Sequence, residues 1–297
     1  MIKIKVPATS ANLGAGFDSL GLALNLYNYV LMDLSDKIEI TSSDEIVVPN
    51  NEDNLIYSSA KHLFNLCQKP LKGLKIVQEN NIPMARGLGS SSACIVAGLV
   101  GANYLLGNIF SKDDLVNIAT KLEGHPDNVL PAFFGGVLTS AIENDKVYWV
   151  KQKINKDIKF VAIIPDFKIS TQSARECLPQ YISHIDARYN LSRSALFIAS
   201  IAQGKYENIR VAVGDKLHQP YRLSLINKAE DIFKQIYLLN GYGAYISGSG
   251  STLMAIVDAK DEKFEYNIKE FLDKNELYSW QVKNLYADNN GTQVSVL

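Results

Sequence analysis

Residues 83–93 read Pro83-Met84-Ala85-Arg86-Gly87-Leu88-Gly89-Ser90-Ser91-Ser92-Ala93, and small and apolar side chains then continue to residue 106 before Gly107. Glycine is common just past a helix end, so the run reads as a buried helix that starts at the serines. Gly87 and Gly89 give the backbone conformations closed to other residues and allow it to approach a ligand closely. Three serines then sit where a helix begins, and free N–H groups with the positive end of the helix dipole favour a phosphate there. Their hydroxyls can add bonds to phosphate oxygens or to a metal ion. No lysine follows as a Walker A loop requires, and the GxGxxG spacing of a dinucleotide site is missing. Alone, the segment reads equally as a glycine turn leading into a serine-capped helix. The rest of the chain decides between the two.

Around this loop the pattern is mixed. Residues 2–6 alternate and stop at Pro7, a short strand. Residues 29–41 form a strand region with a turn at Ser35-Asp36. Helical spacing covers 54–67, and 74–78 reads as a strand leading into the glycine–serine loop. Ser111 with Asp114 resembles a capping box opening a helix over 112–123. Further on, 160–164 is a buried strand closed by Pro165. Ser170 and Thr171 cap a short helix to Cys177, and 192–202 and 225–239 are helices. Residues 244–247 and 252–257 are strands joined by a tight Gly-Ser-Gly turn. The pattern is weakest over 144–157, which places a boundary between an N-terminal domain, 1–155, and a C-terminal domain, 156–297. The order of elements indicates α+β rather than a strictly alternating parallel sheet.

Composition narrows the function classes. A chain of 297 residues accommodates two packed lobes. The apolar fraction of 47% and charged fraction of 21% are those of a globular protein. A net charge of −1 with scattered Lys and Arg gives no field to recruit nucleic acid or an anionic membrane. Cys67, Cys94 and Cys177 are far apart, make no metal-ligand spacing, and read as thiols of a reducing, cytoplasmic setting. Neither a signal peptide nor a run of about 18 apolar residues is present.

Three segments together resemble the GHMP small-molecule kinase superfamily. They are Pro7-Ala8-Thr9-Ser10-Ala11-Asn12-Leu13-Gly14-Ala15-Gly16-Phe17-Asp18, the loop above, and Ile246-Ser247-Gly248-Ser249-Gly250-Ser251-Thr252. They occur in the family's order and at its spacing across nearly the whole chain. The resemblance implies an ATP- and Mg²⁺-using enzyme with an N-terminal ribosomal-S5-like domain and a C-terminal ferredoxin-like domain. The details look most like members that phosphorylate the side-chain hydroxyl of L-homoserine, the step that leads to threonine. These details are the run Ser10–Asp18, then Glu123-Gly124-His125-Pro126-Asp127-Asn128-Val129 with Pro131 and Gly135-Gly136. Ser170-Thr171 through Ala174-Arg175 and Gln219-Pro220-Tyr221-Arg222 complete them. The chain departs from the family at Lys121, where a Glu is frequent, and at Ser251, where a Pro is common.

The resemblance assigns roles residue by residue. ATP phosphates fall to the whole loop Pro83–Ala93, and Mg²⁺ to Ser91 and Glu123. Homoserine needs a cation for its carboxylate, an anion for its ammonium and polar groups at its hydroxyl. Arg175 and Arg222 suit the carboxylate because a guanidinium fork bonds both oxygens. Asp18 suits the ammonium or the hydroxyl, and Asn12, His125, Asn128, Thr171 and Gly248 complete the substrate-binding set. Asn12, Asp18, Asp127 and Asn128 stand at the reacting end, with no residue acting as a dedicated base. Gly248 and Gly250 permit the third motif to close over the loop, and Ser249 to bond the chain opposite. Separately from the resemblance, Asp53, Asn54 and Tyr57 are expected to flank the nucleotide base. Each also has a plain reading, as solvated arginines, a structural histidine, or turn formers beside Gly14 and Gly16. Two other functions fit the same motifs: a kinase for mevalonate or a sugar, and a silent nucleotide-binding sensor. A homodimer is also implied by the resemblance.

Overall fold

The computed structural model describes all 297 residues. Its strands are β1 (Ile2–Ala11), β2 (Leu20–Ser35), β3 (Glu39–Ser42), β4 (Gly73–Glu79), β5 (Val137–Glu143), β6 (Lys146–Gln152), β7 (Ile158–Ile164), β8 (Gly243–Ile246), β9 (Leu253–Asp258), β10 (Gln281–Leu285) and β11 (Gln293–Val296). Its helices are α1 (Leu55–Leu66), α2 (Ser90–Leu105), α3 (Lys112–Glu123), α4 (Val129–Phe134), α5 (Thr171–Glu176), α6 (His184–Gln203), α7 (Ile209–Ala212), α8 (Gln219–Arg222), α9 (Ala229–Leu238) and α10 (Phe264–Lys274). A larger sheet runs β11-β1-β2-β4-β3, with the β5–β6 hairpin attached to β2; a second, antiparallel sheet runs β10-β7-β9-β8. The fold is α+β. No helix is long and apolar enough to cross a membrane.

Helix α2 is the axis of the first lobe. It is apolar nearly all round, because α1, α3, α4 and the sheet cover it on every side. Helix α3 begins in the expected capping box, Ser111 and Asp114 each bonding the other's backbone N–H, and ends at left-handed Gly124. That termination turns the chain into His125–Asn128.

Strand β7 is buried on both faces. Phe160, Ala162 and Ile164 join the core of the first lobe, while Val161 and Ile163 face a second core with α9 and α10. The lobes therefore share side chains rather than a hinge. β11 returns from the C-terminus to pair with β1 in the larger sheet.

The structure differs from the sequence pattern in several places. β1 continues past Pro7 to Ala11. Pro7 lies beyond the end of β11, at a register shift against β2, where a missing N–H is tolerated. Half of the weak stretch 144–157 is strand β6, in which Val147 is the only buried side chain, so no apolar alternation marks it. Asn144 and Asp145, both at positive φ, make the two-residue turn before it. Helix α6 starts at His184, not 192, because Ser183 caps it through the Asp186 N–H. Helix α9 starts only at Ala229, since Leu223–Leu225 is a 3₁₀ turn and Lys228 is left-handed.

Candidate functional site

A cleft of about 390 Å³ opens between the lobes. The β1–β2 loop, the glycine–serine loop, the α3–α4 turn, α5, α8 and the β8–β9 turn all reach it. Its wall carries Asn12, Asp18, Glu123, His125, Asp127, Asn128, Thr171, Arg175, Arg222 and Gly248. From the loop it carries Met84, Ala85, Arg86, Gly87, Gly89, Ser90 and Ser91. Pro83, Leu88, Ser92 and Ala93 stand behind the wall, the last three as buried packing.

Gly89 is the residue before α2, left-handed at φ 71°. A Cβ there would lie 1.8 Å from Thr9 Oγ1. That closeness brings β1 under the loop, where Thr9 Oγ1 donates to Asn128 Oδ1 at 2.7 Å and Thr9 N–H to Leu88 O at 3.1 Å. The first N–H groups of α2 have no acceptor within the helix and open onto the cleft through Ser90 and Ser91.

The β8–β9 turn locks onto the loop from the other lobe. Ser247 Oγ donates to Gly87 O at 2.6 Å and also bonds Ser10 Oγ at 2.7 Å. Thr252 N–H donates to Arg86 O, and Gly248 N–H to Ala11 O, each at 3.1 Å. Ser249 contacts only the adjacent Gly250 O, at 3.5 Å. The serine side chain that crosses is Ser247; Ser251 bonds Phe167 O at 2.8 Å within its own lobe. Ser249, at the tip of the turn, is half-buried and lines the cleft, with no side-chain bond to the other lobe. Arg86 bonds the carbonyls of Pro165, Asp166 and Met84, which ties the loop to the end of β7.

Glu123, the last residue of α3, accepts from Ser91 Oγ at 2.9 Å and Ser92 Oγ at 2.7 Å. Lys121 lies on the surface and pairs with Asp145 at 3.3 Å, away from the cleft. Ser91 and Glu123 thus offer adjacent hard oxygen donors at the start of α2. No cluster of three His, Cys, Asp or Glu side chains is present. This sparse oxygen set fits Mg²⁺, which keeps several waters and takes phosphate oxygens. Cys94 beside it is an inert wall, pushed up to about 12 by burial and the charge of Glu123.

The opposite wall is charged. Arg175, near the end of α5, makes a bidentate pair with Asp18 at 2.9 and 3.1 Å. Arg222 is buried, donates to Ala174 O and Gly248 O, and lies over the Phe17 ring. Burial is the main cause that lowers its pKa. Asn12, at φ 72°, uses its carboxamide within the protein: it donates to Gly248 O at 2.9 Å and accepts from Asp18 N–H at 3.0 Å. It holds Asp18 at the left-handed corner of the loop. Asn128 keeps its amide nitrogen free of protein partners and faces the cleft. His125 Nδ1 lies 2.6 Å from buried Asp127 Oδ1. Burial opposes the charge on His125, but that bond and the charges of Asp127, Glu123 and Asp18 outweigh it, so its pKa is raised.

The far end is walled by Val48, Pro49, Asp53, Asn54, Leu55, Gln78 and Asn80. Asn54 caps α1 through the N–H groups of Ile56 and Tyr57. Tyr57 is buried in the core and does not reach the cleft. Its place i+3 from the cap turns it inward, onto the buried face of α1. Val48, Pro49, Gln78 and Asn80 were not legible as site residues; the only trace is Val47-Val48-Pro49 as an apolar patch in a polar loop.

Residues 54–136 match the model of the GHMP kinases N-terminal domain, and residues 197–274 the GHMP kinases C-terminal model. A homoserine kinase of Clostridium botulinum (strain Alaska E43 / Type E3) is 46% identical over 293 residues, 98% of this chain and 97% of that protein. A homoserine kinase of Caldicellulosiruptor saccharolyticus is 43% identical, covering 99% of this chain and 96% of that one. The crystal structure of homoserine kinase from Cytophaga hutchinsonii superposes with a TM-score of 0.89 at 28% identity, over 99% of this chain and 97% of the other.

Proposed function

The chain belongs to the homoserine kinases of the GHMP kinase family, and we propose that its cleft divides the work of phosphorylating L-homoserine between two facing walls. The reaction moves the terminal phosphoryl group of ATP to the side-chain hydroxyl, giving O-phospho-L-homoserine for threonine biosynthesis. The observation that carries the division of labour is the charged set Asp18, Arg175 and Arg222 across one cleft from the start of α2.

On the phosphate wall, the N–H groups at Ser90–Ser92 and the α2 dipole receive the phosphates. Gly87 and Gly89 permit the close approach. Mg²⁺, held by Ser91 and Glu123, would neutralise charge on the phosphate oxygens. Phosphoryl transfer has a loose transition state, so positioning and charge neutralisation supply most of the catalysis.

On the other wall, homoserine enters as a zwitterion and takes over an existing ion pair. Its carboxylate replaces Asp18 on Arg175 and meets the free edge of Arg222; its ammonium takes Asp18. Cleft charge is unchanged by the exchange, so no net charge is buried. Thr171 and the Gly248 turn frame the amino-acid end. Asn128 points its amide at the hydroxyl, and Asn12 holds Asp18 in place. His125 and Asp127 form a polarised pair beside the reacting end. No residue serves as a dedicated base, because the pair's shared proton is already engaged and Asn128 cannot accept one. The homodimer implied by the family is part of this reading and is tested by light scattering.

The deciding assay is ADP release with homoserine, mevalonate and galactose in parallel. Release with homoserine alone supports the charged-wall reading; equal release with galactose, which has no carboxylate or ammonium, refutes it.

A further inference from the structure

His218 immediately precedes α8 and is fully buried. Its ring stacks on Phe17 at 5.2 Å with an interplanar angle of 21°. Nε2 lies 2.8 Å from Gly14 O, and Nδ1 lies 3.3 Å from Arg222 Nη1. A carbonyl only accepts and a guanidinium only donates, so these contacts fix the tautomer: Nε2 carries the proton and Nδ1 is bare. Asp215 Oδ2 also faces Nε2, but at 3.6 Å it lies beyond hydrogen-bond reach, so the 2.8 Å contact to Gly14 O takes the proton. The Asp215 oxygens accept from the N–H groups of Leu217, His218 and Gln219 and from the Asn190 amide.

Arg222 is held at three points. Nε donates to Ala174 O at 2.9 Å, and Nη1 to Gly248 O at 3.0 Å and to His218. Nη2 has no protein partner, and Arg222 lines the cleft. The histidine thus joins the guanidinium of one lobe to Gly14 of the loop that carries Asp18 in the other.

We propose that His218 is a positioning residue for homoserine: as acceptor for Arg222 and donor to Gly14, it aims the guanidinium's free edge and couples it to the Asp18 loop. This rests on the reading of Arg222 as a carboxylate partner. The cation and anion halves of the substrate grip are then joined through one ring, and aiming Arg222 calls for a bare acceptor at the Nδ1 position, which an amide oxygen can also supply.

Three substitutions separate the two bonds. In His218→Asn the carboxamide oxygen overlies Nδ1 and still accepts from Arg222. In His218→Gln the terminal amide reaches Gly14 O but offers Arg222 nothing. His218→Leu removes both. The expected result is a KM for homoserine raised about tenfold or more in the Gln and Leu variants. The kcat and the KM for ATP stay within about threefold, and Asn keeps the homoserine KM within about threefold of wild type. Arg222→Leu is measured alongside, and His218→Gln/Arg222→Leu should be no worse than Arg222→Leu alone. If Arg222→Leu raises the homoserine KM and His218→Gln does not, the positioning role is overturned while the reading of Arg222 stands. If Arg222→Leu leaves that KM unchanged, the reading of Arg222 fails and the proposal with it. Should a variant not fold, ¹⁵N-histidine NMR of the unaltered enzyme carries the test. His218 should show the Nε2-protonated neutral form, and homoserine, not ATP, should shift Nδ1. A cationic ring, or no shift with homoserine, would overturn the proposal.

Discussion

Gly89→Ala tests whether the phosphate wall depends on backbone geometry. The new Cβ would sit 1.8 Å from Thr9 Oγ1, 3.1 Å from Thr9 Cβ and 3.2 Å from Asn128 Oδ1. Holding alanine in the left-handed region costs about 1–2 kcal/mol. Relieving the contact moves Thr9 Oγ1 off Asn128, and losing that bond costs about 1–3 kcal/mol. A stiffer unfolded chain offsets about 0.4–1 kcal/mol. The net destabilisation is therefore about 1–5 kcal/mol, a fall in Tm of several degrees. The α2 amides shift with residue 89, and a misplacement near 1 Å costs about a hundredfold in rate, so kcat/KM for ATP should fall by about that factor. Calorimetry and ADP release measure the two effects. Thr9→Ala removes the atom at 1.8 Å, so Thr9→Ala/Gly89→Ala should be more stable than the sum of the single changes by about 1 kcal/mol or more. Wild-type Tm and kinetics in Gly89→Ala, or strict additivity with Thr9→Ala, would refute the steric reasoning.

Other outcomes follow from the same geometry. Glu123→Gln leaves Ser91 and Ser92 facing an amide, so the Mg²⁺ concentration for half-maximal rate should rise about tenfold to a hundredfold with Tm little changed; an unaltered Mg²⁺ titration would remove Glu123 from the metal site. His125 titrates above its ordinary value, about 6.5. Its contribution to stability is full below that pH and is lost as pH rises through the raised folded value. Asp127→Asn should bring its NMR titration down, and no change would exclude Asp127 as the cause. Buried His218 is shifted the other way, chiefly by desolvation, so its contribution is full above about pH 6.5 and lost on acidification.

Features of the cleft that depend on local backbone demands left marks in the sequence. The glycines at left-handed corners, the serine caps and the α3 capping box are of this kind, because few residue types satisfy such positions. The walls built by these motifs could therefore be read one segment at a time. Long-range features left no such mark. β6 is held by backbone pairing with a single buried side chain, and β11 by pairing across 292 residues of chain order, from Lys3 to Ser295. His218 leaves no such mark, because its partners, Gly14 and Arg222, meet it only once the lobes pack. Asn12 is the reverse case: its motif marks it as a site residue, while its carboxamide works inside the protein, holding the loop that presents Asp18.

The proposal on which the others rest is that buried Arg222 reads the substrate carboxylate. Its most direct test compares kcat/KM for homoserine and for 3-aminopropan-1-ol, which lacks only the carboxylate, in wild type and Arg222→Leu. Homoserine should lose about a hundredfold or more, as for a charge partner removed from a buried pair, while the analogue changes by less than about threefold. An equal loss for both compounds would mean that Arg222 shapes the cleft without reading the carboxylate, and would contradict the claim.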